Sequence, residues 1–186
     1  MKTIPLPRTR LTVSQLCLGT NQFGTALDDA RAHELIDTFR ALGGNFIDTA
    51  HAYADWVPTA PRAASEHCIG RWLSRQRRDS VVIATKGCVF DYRAGFQPRV
   101  MPEHRRAEIE GSLAALRTDH IDLYWLHRDE PAQPVGVIVD ALIEQQRSGR
   151  IRHFGCSNWS VARIQAAQRH AASVAHEGFV ACQPMW

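Results

Sequence analysis

Lysine is nearly absent from this chain. Of 22 basic residues among 186, only Lys2 and Lys86 are lysines. The others are arginines, which do not give up a proton in a protein. Lys86 is therefore the one internal amine whose charge burial can tune. Cysteine pairs of the CxxC kind are missing as well. The five cysteines, Cys17, Cys68, Cys88, Cys156 and Cys182, are odd in number and scattered. That argues against a disulfide frame or a zinc site, and for buried thiols in a reducing compartment. The nine histidines fall in no HExxH or similar spacing, so no metal is expected. No apolar run is long enough to span a membrane, and residues 1–10 lack the apolar core of a signal peptide. A basic block and a run of stacking aromatics are both lacking, and a net charge of +3 is too small to argue for nucleic acid. The expected setting is the cytoplasm, with no nucleic-acid and no membrane partner.

What is present is an ordinary globular balance, 45% hydrophobic and 22% charged, in a chain long enough for one sizeable core. Two short alternating runs, 2–6 and 11–16, flank Pro7-Arg8-Thr9-Arg10 and predict a hairpin. Gln15 to Thr20 reads as a first buried strand. Asp28 and Asp29 open a helix whose apolar face is Leu35, Ile36, Phe39 and Leu42, and Gly43-Gly44 stops it. Asn45 to Asp48 is a second strand. Ser65 is the expected N-cap of a second helix that turns Ile69, Trp72 and Leu73 inward. Ser80 to Lys86 is a continuous apolar strand of the kind that parallel sheets bury on both faces.

Residues 87–101 read as a long loop, and loops of that length are commonly functional. A helix over 103–117, a strand from Ile121 to Leu126 and a helix marked by Ile138, Ala141, Leu142 and Gln145 follow. Then come a strand from Ile151 to Cys156, an Ala-rich helix over 160–176 and a last strand from Phe179 to Gln183. Six strands alternating with five helices predict βαβ units and a parallel sheet.

A doubly wound sheet is the competing architecture. Gly19 to Gly24 reads G-x-x-x-x-G, but Thr25-Ala26 follows where a phosphate loop needs Lys and Ser or Thr. A β/α barrel accounts for more, because polar residues finish successive strands: Asp48, Lys86, His127, Ser157-Asn158 and Gln183. In a barrel these converge on one rim, with Tyr53 arriving from the second loop. Singly, each has a plain structural use: a solvated Lys86, a satisfied loop histidine at His127, a helix N-cap at Asn158. Jointly they lie at the same end of their own strands. The chemistry of the group is coherent. An ammonium close to a phenol favours the phenolate, Asp48 can hold Lys86 charged, and His127 can donate or accept at the same oxygen. That is a proton donor matched to a developing alkoxide. Gly155-Cys156-Ser157-Asn158-Trp159 lacks the second glycine of a nucleophile elbow, which excludes the usual serine hydrolase.

Asp48, Tyr53, Lys86 and His127 resemble the catalytic tetrad of the aldo-keto reductase family. Gly44 to Ala50 with Tyr53 is similar to that family's second strand and loop, Ile121 to His127 to its fourth strand, and Gly149 to Asn158 to its fifth. The resemblance covers essentially the whole chain. It implies NADPH-dependent reduction of an aldehyde or ketone to an alcohol by direct hydride transfer. Tyr53 would be the general acid, Lys86 paired with Asp48 would favour loss of its proton, and His127 would orient the carbonyl. Ser157, Asn158 and Gln183 match the positions that hold the nicotinamide carboxamide. Gly19 and Thr20 match the first-strand end that lies against the cofactor, as Asp48 does.

The expected fold is thus α/β, a parallel (β/α) barrel of TIM type with an N-terminal β-hairpin. It is incomplete at about six of eight strands, and residues 1–186 form one partial reductase domain. A complete barrel of ~250 residues would add two strands and three helices, roughly 60 residues. The resemblance puts the grip on the adenosine phosphate, and the aromatic that stacks on the nicotinamide, in that further part. Open sheet edges predict self-association or low stability of the chain by itself. The 87–101 loop is expected to wall the pocket of a small carbonyl substrate. Three readings stand at this point: a reductase, a nicotinamide-nucleotide-binding module without turnover, and an inactive fragment.

Overall fold

A computed structural model describes residues 1–91, 97–98 and 102–185. The N-terminal hairpin is present: β1 (Thr3–Pro5) pairs antiparallel with β2 (Thr12–Ser14), Thr3 opposite Ser14. β3 (Leu18–Gly19) follows, shorter than the run from Gln15 to Thr20 that its apolar residues predict. Helix α1 (Asp29–Ala41) starts at Asp28, whose carboxylate accepts from the Arg31 N–H at 3.0 Å. Its buried side is Ala32, Ile36 and Phe39, whereas Leu35 and Leu42 are exposed. The inward stripe is therefore narrower than the spacing implied.

β4 (Phe46–Asp48) leads through a long loop to α2 (Ala64–Leu73). Ser65 is not its cap. The helix starts from Ala63 in the left-handed region at φ 53°, without a side-chain cap, and the Ser65 hydroxyl turns to the strand ends instead. β5 (Val82–Gly87) is buried throughout. The expected loop over 87–101 contains a two-stranded hairpin, β6 (Phe90–Asp91) with β7 (Gln97–Pro98). The remainder of its expected pocket wall, 92–96 and 99–101, lies outside the described residues. Then follow α3 (Pro102–Leu116), β8 (Ile121–Leu126), α4 (Val135–Arg147), β9 (Ile151–Ser157), α5 (Val161–Ser173) and β10 (Cys182–Gln183). The last strand is two residues where five were expected. Ser160, not Asn158, caps α5, its hydroxyl accepting from the Arg163 N–H.

The six strands β3, β4, β5, β8, β9 and β10 form one parallel sheet in sequential order. A doubly wound sheet reverses its order at a switch point. This one does not, which is the winding of a barrel. Side chains alternate between faces along each strand. Ile47, Ile83, Tyr124, Leu126, Phe154 and Cys156 pack with the helices in the main core, while Ala84, Leu123 and Trp125 form a separate inner cluster with Leu6, Phe46 and Val180. The register sets Gly19 beside Asp48 and Asp48 beside Ala84, Lys86 beside Trp125, and Ser157 beside Gln183. Three cysteines, Cys68, Cys88 and Cys156, are buried thiols as expected, whereas Cys17 and Cys182 are exposed. Among the described residues no helix is long and apolar enough to cross a membrane.

Candidate active site

The inner face of the sheet ends in a cluster of charge. Lys86, the last residue but one of β5, is 3% exposed, and Asp48 at the end of β4 is 6% exposed. The Lys86 ammonium donates to Asp48 Oδ2, to the Thr49 carbonyl at 2.9 Å and to the Tyr53 hydroxyl oxygen at 2.9 Å. All three of its protons are used. Stripping two ions of water is costly, and such a pair holds only when the remaining hydrogen bonds are made. Asp48 meets that demand: its other oxygen accepts from the Trp125 indole N–H at 3.1 Å, and Gln183 Nε2 approaches Oδ2 at 3.4 Å.

Tyr53 reaches the cluster from the loop after β4. Its N–H bonds the Ala50 carbonyl at 3.1 Å, and Ala54 at φ 78° turns the chain away behind it. The Lys86 ammonium also lies 4.8 Å from the centre of the Tyr53 ring. His127 follows β8, its N–H held by the Gly87 carbonyl at 2.8 Å. Its ring stands edge-on to that of Tyr53, centroids 6.2 Å apart. Burial, and then the nearby Lys86 and Arg128 charges, push the imidazole down to about 3 from the usual 6.5. It is neutral at pH 7. Its Nδ1 is buried with no hydrogen-bond partner among the described residues.

The residues expected to hold a cofactor lie on the same rim. Ser157 Oγ donates to the Gln183 carbonyl at 2.8 Å, and Asn158 Nδ2 donates to Ser157 Oγ at 3.1 Å. The Asn158 side-chain oxygen Oδ1 accepts from the Met185 N–H at 2.8 Å. A methyl group added at Gly19 would meet nothing within 4 Å, so the end of β3 is open above Asp48. Thr20 is tied down instead: buried, its hydroxyl donates to the Asp48 carbonyl at 2.9 Å. Asp48, Tyr53, Lys86 and His127 lie together as the strand ends imply, and the indole of Trp125, which was not among the expected site residues, joins them. The signal was available, since Trp125 stands in β8 two residues before His127, which follows the strand, and so shares its face. Its ring fits because residue 155 is glycine: a Cβ there would lie 2.7 Å from the indole. Elsewhere, Asp29, His33 and Cys68 gather within 4.8 Å of one another. Arg71 already holds both Asp29 oxygens, and both His33 nitrogens are bonded, to the Cys68 carbonyl and to Arg75.

The model of the Aldo/keto reductase family matches residues 15–184. The chain belongs to the aldo/keto reductase family. Among its relatives, the uncharacterised oxidoreductase YrpG of Bacillus subtilis (strain 168) is 36% identical over 94% of this chain and 55% of its own length. The norsolorinic acid reductase stcV of Emericella nidulans is 34% identical over 88% of this chain and 45% of its own. The solved aldo-keto reductase Tm1743, a thermostable protein in complex with the inhibitor epalrestat, superimposes with a TM-score of 0.82. It is 27% identical, with all of this chain and 63% of that one covered. The expected incomplete barrel is thereby the observed fold. The chain spans about half the length of the curated relatives it matches.

Proposed function

We propose that this aldo/keto reductase chain carries the proton-transfer centre of an NADPH-dependent carbonyl reductase. Tyr53 would give its proton to the oxygen of an aldehyde or ketone as the carbonyl carbon receives hydride. One observation carries the reading: the Tyr53 hydroxyl oxygen accepts from a buried ammonium at 2.9 Å. Because that oxygen is the acceptor there, its own proton is left to point away from Lys86 and toward a substrate. After transfer the phenolate remains against a positive charge, which favours the step. Asp48 keeps the ammonium charged and directed.

The neutral imidazole of His127 has a different task. It can donate one hydrogen bond to the carbonyl oxygen without adding a second positive charge beside Lys86. The residues present fit a nicotinamide. Open space at Gly19, with the amide and hydroxyl groups of Asn158, Ser157 and Gln183 on one rim, suits a flat ring carrying a carboxamide. When bound, the dihydronicotinamide supplies the hydride. Ser157, Asn158 and Gln183 would hold and orient it, and Tyr53, Lys86 and His127 would manage the oxygen and its proton. The substrate class is a small-molecule carbonyl compound.

The test is titration with NADPH followed by Trp fluorescence, with aldehyde reduction measured on the same sample. Quenching with turnover that Tyr53→Phe abolishes, while the quenching persists, supports the reading. Quenching without turnover leaves a nucleotide-binding module, and a Tyr53→Phe variant with unchanged turnover removes Tyr53 from the acid role.

A further inference from the structure

Directly behind the cluster, in the layer between sheet and helices, lies a carboxylate that the proton transfer does not use. Glu66, in the first turn of α2, is 0% exposed. A buried carboxylate costs several kcal/mol unless its oxygens are satisfied, and here both are. Oε1 accepts from the Thr85 hydroxyl at 2.5 Å, and Oε2 meets the His51 ring nitrogen Nδ1 at 3.0 Å. A carboxylate can only accept, so Nδ1 carries the proton. Thr85 immediately precedes Lys86 in β5. His51 stands two residues before Tyr53, and its own N–H bonds the Lys86 carbonyl at 2.9 Å.

The neighbouring residue completes the pattern. Ser65 Oγ lies 2.8 Å from the Thr20 carbonyl, 2.9 Å from the Thr20 hydroxyl and 2.9 Å from the Thr49 hydroxyl. Its one proton is directed at Thr20, so Thr49 is the donor to Ser65. Thr49 in turn offers its carbonyl to the Lys86 ammonium. The first turn of one helix therefore fastens the ends of β3, β4 and β5 together from behind.

We propose that Glu66, with Ser65, is a positioning residue. It sets the separation of the Tyr53 hydroxyl and the Lys86 ammonium by tying the loop through His51 and the strand through Thr85. Glu66→Gln keeps an acceptor for Thr85 and, with the other His51 tautomer, a donor for the ring. Glu66→Leu keeps neither.

This inference deepens the reductase reading, but its first test does not depend on turnover. Only three tyrosines are present, so ring-labelled tyrosine resolves the Tyr53 carbon signal by NMR, and Lys86→Met calibrates where that signal lies without its donor. In Glu66→Leu the signal moves at least halfway to the Lys86→Met position, while in Glu66→Gln it stays near wild type. A folded Glu66→Leu whose Tyr53 signal is unmoved overturns the proposal. If Glu66→Leu does not fold, Thr85→Val and His51→Phe, each removing one arm, are read in the same way. Where wild type turns over, kcat falls about 10- to 100-fold in Glu66→Leu, as small misplacements of reacting groups do. KM for the carbonyl stays within about threefold, and Glu66→Gln restores most of kcat. Loss of stability alone, with kcat and the Tyr53 signal unchanged, refutes positioning. A wild type without turnover refutes the reductase reading and leaves the NMR result to decide this one.

Discussion

Replacing Lys86 with methionine isolates the energetics of the buried pair. The substitution nearly conserves volume, so the packing loss is small. What remains is an Asp48 carboxylate, 6% exposed, without its counter-ion. Removing one partner of a buried pair costs about 3–5 kcal/mol. Asp48 retains the Trp125 indole donor at 3.1 Å and the Gln183 amide at 3.4 Å. Hydrogen bonds to charged groups are worth about 1.5–3 kcal/mol each at good geometry, so the loss falls at the lower end, about 3 kcal/mol. With a urea m-value of about 2 kcal/mol/M, the unfolding midpoint drops by about 1.5 M. Asp48→Asn alone strands Lys86 but leaves it the Thr49 carbonyl and the Tyr53 oxygen, and costs a similar amount. The double variant holds no buried charge at these positions. It should be more stable than the sum of the single losses by at least about 1 kcal/mol. Urea unfolding of the four proteins at pH 7 measures the cycle. Losses below about 0.5 kcal/mol in both single variants, or strict additivity, would falsify the view that these two groups are buried as an ion pair.

Further outcomes follow from individual contacts. The folded chain takes up the His127 proton only near pH 3, the unfolded chain already near 6.5. The unfolded state thus binds more protons in that window, and stability must fall as pH drops through it. Between pH 7 and pH 5 the His127 contribution is about 2 kcal/mol; urea midpoints should show His127→Gln losing that much less than wild type. Gly155→Ala drives a methyl to within 2.7 Å of the Trp125 ring and 2.6 Å of the Ala181 carbonyl. Overpacking of this kind costs about 1–3 kcal/mol, and indole emission should shift as the ring is displaced from Asp48. Ser160→Ala removes the cap of α5, and thermal unfolding should show a loss of about 1 kcal/mol.

The elements that sequence periodicity placed well are those with strong local signals. The fully buried, mostly apolar runs of β5 and β8 stand close to where they are expected, because burial on both faces writes itself into consecutive residues. The short end strands were overestimated. Gln15–Thr20 and Phe179–Gln183 are apolar enough to pair, yet the regular strands are only Leu18–Gly19 and Cys182–Gln183, with Val180 and Ala181 adding single bonds to Phe154 and Cys156 of β9. At the edges of the sheet a strand has one neighbour to bond, and its length is set by that neighbour's register. Ser65 failed as a cap for a related reason. A hydroxyl in a first turn serves whichever orphan group lies closest, and here that was the end of β3 rather than the helix's own N–H.

By itself the sequence determined the alternation of strands and helices and the polar finish of several successive strands. These follow from periods of two and 3.6 residues and from residue type, which are local properties of a chain. Only the tertiary structure decided which atoms meet. Gln183 lies on Asp48 across 135 residues of sequence, the Trp125 indole meets the same carboxylate across 77, and His127 is neutral because of what buries it. Such facts depend on register between strands far apart in the chain and on the dielectric they enclose, and neither has a signature in neighbouring residues.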